Sequence, residues 1–243
     1  MKSVVSSALI AACLWVSPVA MAQTVPATAA AATPKHGLQY LLPAEVSPQR
    51  LIGQPAVNGS QAQAQELAFV RALVAGASAE RMAQARADDG NETPSIYNDV
   101  MGVDLKTMPA TWELLTTMAH EASAVANYAK FAFMRQRPWG ADKTIKTCSE
   151  ADPTKEFTSY PSGHATNGYA MARALVEVAP HYAPGILSRA DDYALSRSIC
   201  GQHYPSDAAA GRAIALQVVD KLLADPRLSG QVAAARAEIA AAH

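Results

Sequence analysis

From Ser60 onward, apolar residues recur at helical spacing, and the strict alternation of a half-buried strand is essentially absent. That pattern restricts the chain to packed helices. In the stretch 61–76, Leu67, Val70, Leu73 and Val74 share one face, and Ser60 stands where an N-cap is needed. Further helices are predicted near 79–88 and 95–103, then from a Thr107 cap and Pro109 to about Arg135. Four more follow, near 163–178, 183–200, 205–224 and 229–241. Composition agrees: 52 of the 243 residues are alanine, whereas aromatics make up 6%. Alanine is the best helix former and fills little volume, so it suits helices packed at close range. A sandwich or barrel would draw on Val, Ile, Thr and aromatics instead. The expected fold is all-α, a single-domain helical bundle.

Charge narrows the function. Lys and Arg number 20 against 21 Asp and Glu, without the basic excess of a nucleic-acid binder. Met1-Lys2, an apolar stretch from Val4 to Val19, and Ala20-Met21-Ala22 read as a signal peptide over 1–22, cleaved after Ala22 for export to the periplasm or medium. Ile10-Ala11-Ala12-Cys13 is a rival lipoprotein cleavage box. Residues 23–36 are Ala/Thr/Pro-rich and read as a disordered leader, leaving 37–243 as the single helical domain. Within it, Leu38 to Pro55 is expected to drape over the helices as an extended segment, and Pro138 to Tyr160 to form a long polar loop. Beyond the N-terminus no apolar run reaches the roughly 18 residues of a membrane-spanning helix, so no span is expected.

Export changes how the cysteines read. Cleavage removes Cys13 and leaves Cys148 and Cys200, an even count in an oxidising compartment, which suggests one disulfide. Two separate buried thiols are the alternative.

Three short blocks carry chemistry: Lys130 with Arg137-Pro138; Pro161-Ser162-Gly163-His164; and Ser196-Arg197 with His203 and Asp207. Lys130 and Arg137 are seven residues apart, two helical turns, and are expected on one face of the helix or its end, with Pro138 stopping the helix. Ser162 and Gly163 open a helix, where free N–H groups and the macrodipole favour an anion. Arg197 adds a planar fork suited to phosphate oxygens. Gly201 can end its helix left-handed and Pro205 can start the next, leaving His203 in the turn with Asp207 within reach of its ring. A carboxylate on one ring nitrogen leaves the other free to attack. No zinc-like Cys/His spacing appears.

At every specified position these blocks resemble the signature of the superfamily that holds bacterial class A non-specific acid phosphatases, type 2 phosphatidic acid phosphatases and vanadium haloperoxidases. Leu41-Leu42-Pro43, Ser159-Tyr160 and Cys200-Gly201 extend the likeness to the class A branch. Ala165, where many class A members have Thr, and Ala44-Glu45, where many have further prolines, depart from it. The resemblance implies a metal-independent phosphomonoesterase without a cofactor. His203 would be the nucleophile, Asp207 its orienting partner and His164 the general acid and base. Lys130, Arg137, Ser162, Gly163 and Arg197 would bind the phosphate. It further implies a broad range of small phosphomonoesters, inhibition by phosphate or vanadate, activity highest below neutrality, and a homodimer or larger assembly. The alternatives are a vanadate-dependent haloperoxidase, a lipid phosphate phosphatase, or a protein that only binds an anion.

Overall fold

The computed structural model describes residues 37–242; the signal peptide and leader assigned to 1–36 lie outside them. Seven main helices make up the described residues: α1 (Gln61–Gly76), α2 (Ala79–Asp89), α3 (Pro109–Phe133), α4 (Gly163–Val178), α5 (Ala183–Ile199), α6 (Pro205–Leu223) and α7 (Ser229–Ala242). No strand occurs among the described residues.

Local chemistry sets the boundaries. Ser60 and Ser78 cap α1 and α2 by accepting the N–H of Gln63 and of Arg81. Pro109 and Pro205 occupy first helical positions, where the missing N–H costs nothing. Gly201, at φ +64°, takes the left-handed conformation just past α5. A Cβ there would also lie 2.4 Å from Ile145 Cγ2.

The centre of the bundle is α3, α4 and α6. Ala122, Ala126 and Ala129 of α3, Ala165, Ala170 and Ala174 of α4, and Ala215 of α6 are all fully buried. Their small side chains let the backbones approach. The tightest approach is at Gly211 of α6, where a Cβ would sit 2.8 Å from the Ser162 carbonyl oxygen and 2.9 Å from Thr166 Oγ1. Larger residues such as Leu114, Met118, Leu175 and Ile214 fill the remaining core.

Four local expectations need correction. Thr107 does not cap α3; it ends a short 3-10 turn, Leu105–Thr107, and Met108 occupies the cap position without a side-chain hydrogen bond. The helix stops at Phe133, with Met134 left-handed at φ 48°, so Lys130 and Arg137 do not share a continuous helix and Pro138 is not its stop. Pro138 instead begins a one-turn helix, Pro138–Ala141, inside the polar loop. The stretch near 95–103 is a 3-10 turn (Pro94–Tyr97) followed by the single turn Asn98–Met101. Segment 38–55 is not extended throughout: it makes a 3-10 turn (Pro43–Glu45) and a one-turn helix (Pro48–Leu51). Its start is held by the buried Glu121 carboxylate of α3, which accepts the N–H groups of Gln39, Tyr40 and Leu41 at 2.5–3.3 Å.

Candidate active site

A cavity of about 500 Å³ opens where α3, α4 and α5 meet the loops that follow α2, α3 and α5. Of the residues singled out in the sequence, Lys130, Arg137, Gly163, His164, Arg197 and His203 line it. Asp207 and Ser162 stand behind this lining; both are fully buried. The Ser162 hydroxyl oxygen accepts the Ala165 N–H at 3.4 Å as the cap of α4, and its own N–H donates to the Asp207 carbonyl at 3.0 Å. That second bond ties the first turn of α4 to the first turn of α6. The Cβ position of Gly163 lies 3.9 Å from Lys130 Cε, so the opening of α4 faces this cation.

After α3 ends, the chain turns and runs beside residues 156–159. Arg137 N–H donates to Glu156 O at 2.8 Å, and Ser159 N–H to Arg135 O at 3.0 Å. These two bonds carry Arg137 into the cavity wall although its helix has stopped. Lys130 arrives from the last turn of α3, its ammonium donating to the carbonyl oxygens of Thr158 (3.0 Å) and Pro161 (2.5 Å). Arg197 pairs with Asp89 at the C-terminal end of α2.

The His203 ring is fixed at both nitrogens. Nδ1 lies 3.3 Å from Asp207 Oδ2, and Nε2 lies 3.1 Å from Arg137 Nη1. A guanidinium only donates, so Nε2 carries the lone pair and Nδ1 the hydrogen. Asp207 is held in turn: Oδ2 accepts from Ser159 Oγ (2.6 Å) and Tyr204 N–H (2.9 Å), and Oδ1 from Arg135 (2.6 Å). His164 Nε2 faces the Asp89 carbonyl at 3.2 Å, with Glu92 Oε1 at 3.6 Å. A carbonyl only accepts, so this nitrogen bears hydrogen and Nδ1 is the nitrogen that gains and loses one.

Crowded cations and little water shift these groups in one direction. Burial, then Arg137, lowers the Lys130 ammonium to about 7. Burial, then Arg197, lowers Arg137 to about 10 and lowers His164 to about 3. Burial followed by Arg137, Lys130 and Arg197 holds His203 well below the usual histidine value. Each shift disfavours one more positive charge among cations already held close together.

Sequence reasoning missed several participants. Asp89, Glu92, Glu150 and Asp152 bring carboxylates to a cavity for which the sequence pointed to Asp207 alone, Lys155 adds a cation, and Trp139, Asn127, Asn167 and Gln202 also line the wall. Arg135 and Glu66 stand behind Asp207. Asp89, Glu92 and Glu66 lie outside the three blocks and carry no local signal of proximity. The remaining histidines stay apart: His120 meets the Gly37 carbonyl at 3.1 Å, His181 is exposed in a 3-10 turn (Pro180–Tyr182), and neither lines the cavity. His36 and His243 lie outside the described residues. Among the described residues no helix is long and apolar enough to cross a membrane, and no group of three or more His, Cys, Asp or Glu is arranged to hold a metal ion.

Cys148 and Cys200 are joined in a disulfide. It ties the long loop to the end of α5, three residues before His203.

Residues 110–219 match the PAP2 superfamily, a stretch that holds all three blocks but not Glu66, Asp89 or Glu92. A non-specific acid phosphatase of Providencia stuartii is 38% identical over 138 residues, 56% of this chain and 55% of that protein. An acid phosphatase of Zymomonas mobilis is 28% identical over 198 residues, 79% of this chain and 75% of its own length. A non-specific acid phosphatase of Salmonella typhimurium is 32% identical over 149 residues, 59% of each. The chain spans little more than half the length of the first of these relatives. The three blocks within this match converge on one cavity of an all-α fold, so the stretch 110–219 is similar to the PAP2 superfamily in sequence and brings that family's signature residues together in space.

Proposed function

We propose that the protein is an exported acid phosphatase of the class A kind, hydrolysing small phosphomonoesters through a phosphohistidine at His203. One observation carries this reading: His203, tied to Asp207 at Nδ1, lines a cavity that also holds Lys130, Arg137, Arg197 and a second histidine. Binding an anion needs cations; it does not need an imidazole oriented by a buried carboxylate. The phosphatase names of the relatives support the same choice.

In the proposed reaction Nε2 of His203 attacks phosphorus while the bond to the alcohol oxygen breaks. His164, protonated, gives its proton to that oxygen. The positive charge left on His203 is stabilised by Asp207. His164, now neutral, takes a proton from water; the water oxygen attacks phosphorus, the N–P bond breaks and phosphate leaves. Lys130, Arg137 and Arg197, with the Gly163 N–H and the Ser162 hydroxyl proton, hold the equatorial oxygens as charge builds on them. Three cations supply the charge that metal ions supply in other phosphatases, so hydrolysis is proposed to be metal-independent.

A low-lying His164 is compatible with acid catalysis because a bound phosphate raises it. Lys130, at about 7, is cationic only below neutrality, which favours anion binding there. Export to the periplasm through the N-terminal signal, inhibition by phosphate and vanadate, and assembly into a homo-oligomer complete the reading.

The test is incubation of purified protein with para-nitrophenyl phosphate, with and without chelator and vanadate. Hydrolysis that survives chelator and is lost to vanadate is expected. No hydrolysis, with halide oxidation after vanadate and peroxide are added, would replace this reading with a haloperoxidase.

A further inference from the structure

Behind His203 and Asp207 the hydrogen bonding continues for two more residues and ends on a helix outside the superfamily match. Arg135 is 1% exposed. Its Nη1 donates to Asp207 Oδ1 and to Ser206 Oγ, both at 2.6 Å, and its Nη2 to Glu66 Oε2 at 2.5 Å. Its guanidinium carbon lies 4.1 Å from the centre of the Tyr204 ring. Glu66, in α1, uses its other oxygen to accept the Ser206 N–H at 3.1 Å, in the first turn of α6. The order in space is therefore Glu66, Arg135, Asp207, His203.

Stability alone does not account for this arrangement, because a buried ion pair is often no better than packed hydrophobic residues of the same volume. Geometry and charge give it a purpose. Arg135 occupies Oδ1 of Asp207, so Oδ2 is the oxygen left for the His203 ring. Arg135 alone would also cancel the charge of Asp207. Glu66 restores the balance: two carboxylates and one guanidinium leave one net negative charge behind His203.

We propose that Arg135 and Glu66 are positioning residues for His203, Arg135 setting which oxygen of Asp207 meets the ring and Glu66 preserving the negative charge that stabilises the phosphohistidine. The proposal rests on the phosphohistidine reading above. Neither residue touches the phosphate.

The test uses the full chain carrying Glu66→Gln and, separately, Arg135→Lys. Glutamine removes the charge and keeps one acceptor oxygen, for Arg135 or for Ser206, with an NH2 group in place of the other. Lysine keeps the charge but cannot bridge Asp207 and Glu66 with one planar fork. The expected result for Glu66→Gln is a roughly ten- to hundredfold lower kcat and phosphoenzyme formation rate, the size typical of losing an outer-shell partner. KM, the Kd for inorganic phosphate and the melting temperature are expected within about twofold or a few degrees of the parent protein. Arg135→Lys should lose more. The NMR resonance of the His203 Nδ1 proton, read without substrate, should move in both variants. Folded variants with parental kcat and an unmoved resonance would overturn the proposal, as would a loss confined to melting temperature. Failure of the phosphatase reading looks different: the parent protein would itself show no hydrolysis, while the resonance would still report whether Glu66 and Arg135 hold His203.

Discussion

Arg137 Nη1 lies 3.1 Å from Nε2 of His203, so a guanidinium, which only donates, faces the nitrogen that carries the lone pair. The contact keeps His203 neutral and marks where negative oxygen belongs. In the proposed reaction an incoming phosphate would offer the guanidinium better acceptors and leave the nitrogen free to attack.

His164 should matter according to the alcohol that departs. Replacing His164 with Ala is expected to lower kcat by roughly 10²–10⁴-fold for alkyl phosphates, the usual contribution of a general acid. The loss should shrink for para-nitrophenyl phosphate, whose leaving group needs little proton assistance. Steady-state kinetics on the two ester classes checks this, and equal losses on both would remove His164 from the acid role.

Anion affinity should follow Lys130. Its ammonium is lowered to about 7, so it is charged below that pH and neutral above it. Calorimetric titration with inorganic phosphate should show affinity falling as pH rises through about 7, and Lys130→Met should flatten that dependence. The sign for stability differs. His164 stays neutral down to about 3 in the folded protein, against an unfolded value near 6.5. Between those values the unfolded chain holds the extra proton, so without phosphate stability should fall as pH drops from 6.5 toward 3. Thermal melts across that window, with and without phosphate, measure it.

The disulfide between Cys148 and Cys200, 52 residues apart, should contribute about 4 kcal/mol in the chain-entropy account. Replacing both cysteines with Ser is expected to lower the denaturation midpoint and also kcat, because Cys200 leads directly into the turn that holds His203. Urea unfolding and kinetics on the double variant decide it; unchanged kcat would separate the disulfide from the site.

Gly211→Ala should destabilise by about 1–3 kcal/mol, the usual cost of overpacking. Its new Cβ would meet the Ser162 carbonyl at 2.8 Å and push α6 from the opening of α4. Because those two helix starts carry Asp207 and Gly163, activity should fall with stability, measured by urea unfolding beside a single-point assay.

The sequence was most legible where local chemistry decides the structure. Ser60, Pro205 and Gly201 act at their own positions, so α1, the start of α6 and the His203 turn could be read directly. The path from Lys130 to Arg137 could not: Met134 takes a left-handed conformation that no glycine announces, and the segment is held by bonds to residues 156–159. The 3-10 turn over 105–107 is set by Asn98 and Asp104 side chains that bond to each other and to the N–H groups of Leu105 and Lys106, and the turn over 94–97 follows an Asn91 side chain that bonds the Thr93 N–H and the Ser95 hydroxyl, patterns without hydrophobic period. Six of the eight residues assigned to catalysis or phosphate binding converge on the cavity wall, with Asp207 and Ser162 immediately behind. Glu66, Asp89 and Glu92 reach the site only through tertiary packing, and Arg135 was legible as a residue but not as a partner of Asp207.

The central claim is that His203 carries the phosphoryl group. Rapid-quench mass spectrometry under conditions that preserve phosphohistidine tests it most directly. The account predicts a phosphate on His203 that forms and decays at rates matching turnover, and that is absent from His203→Ala along with activity. Near-parental turnover in His203→Ala, or a phosphoryl group trapped on any other side chain, would contradict it.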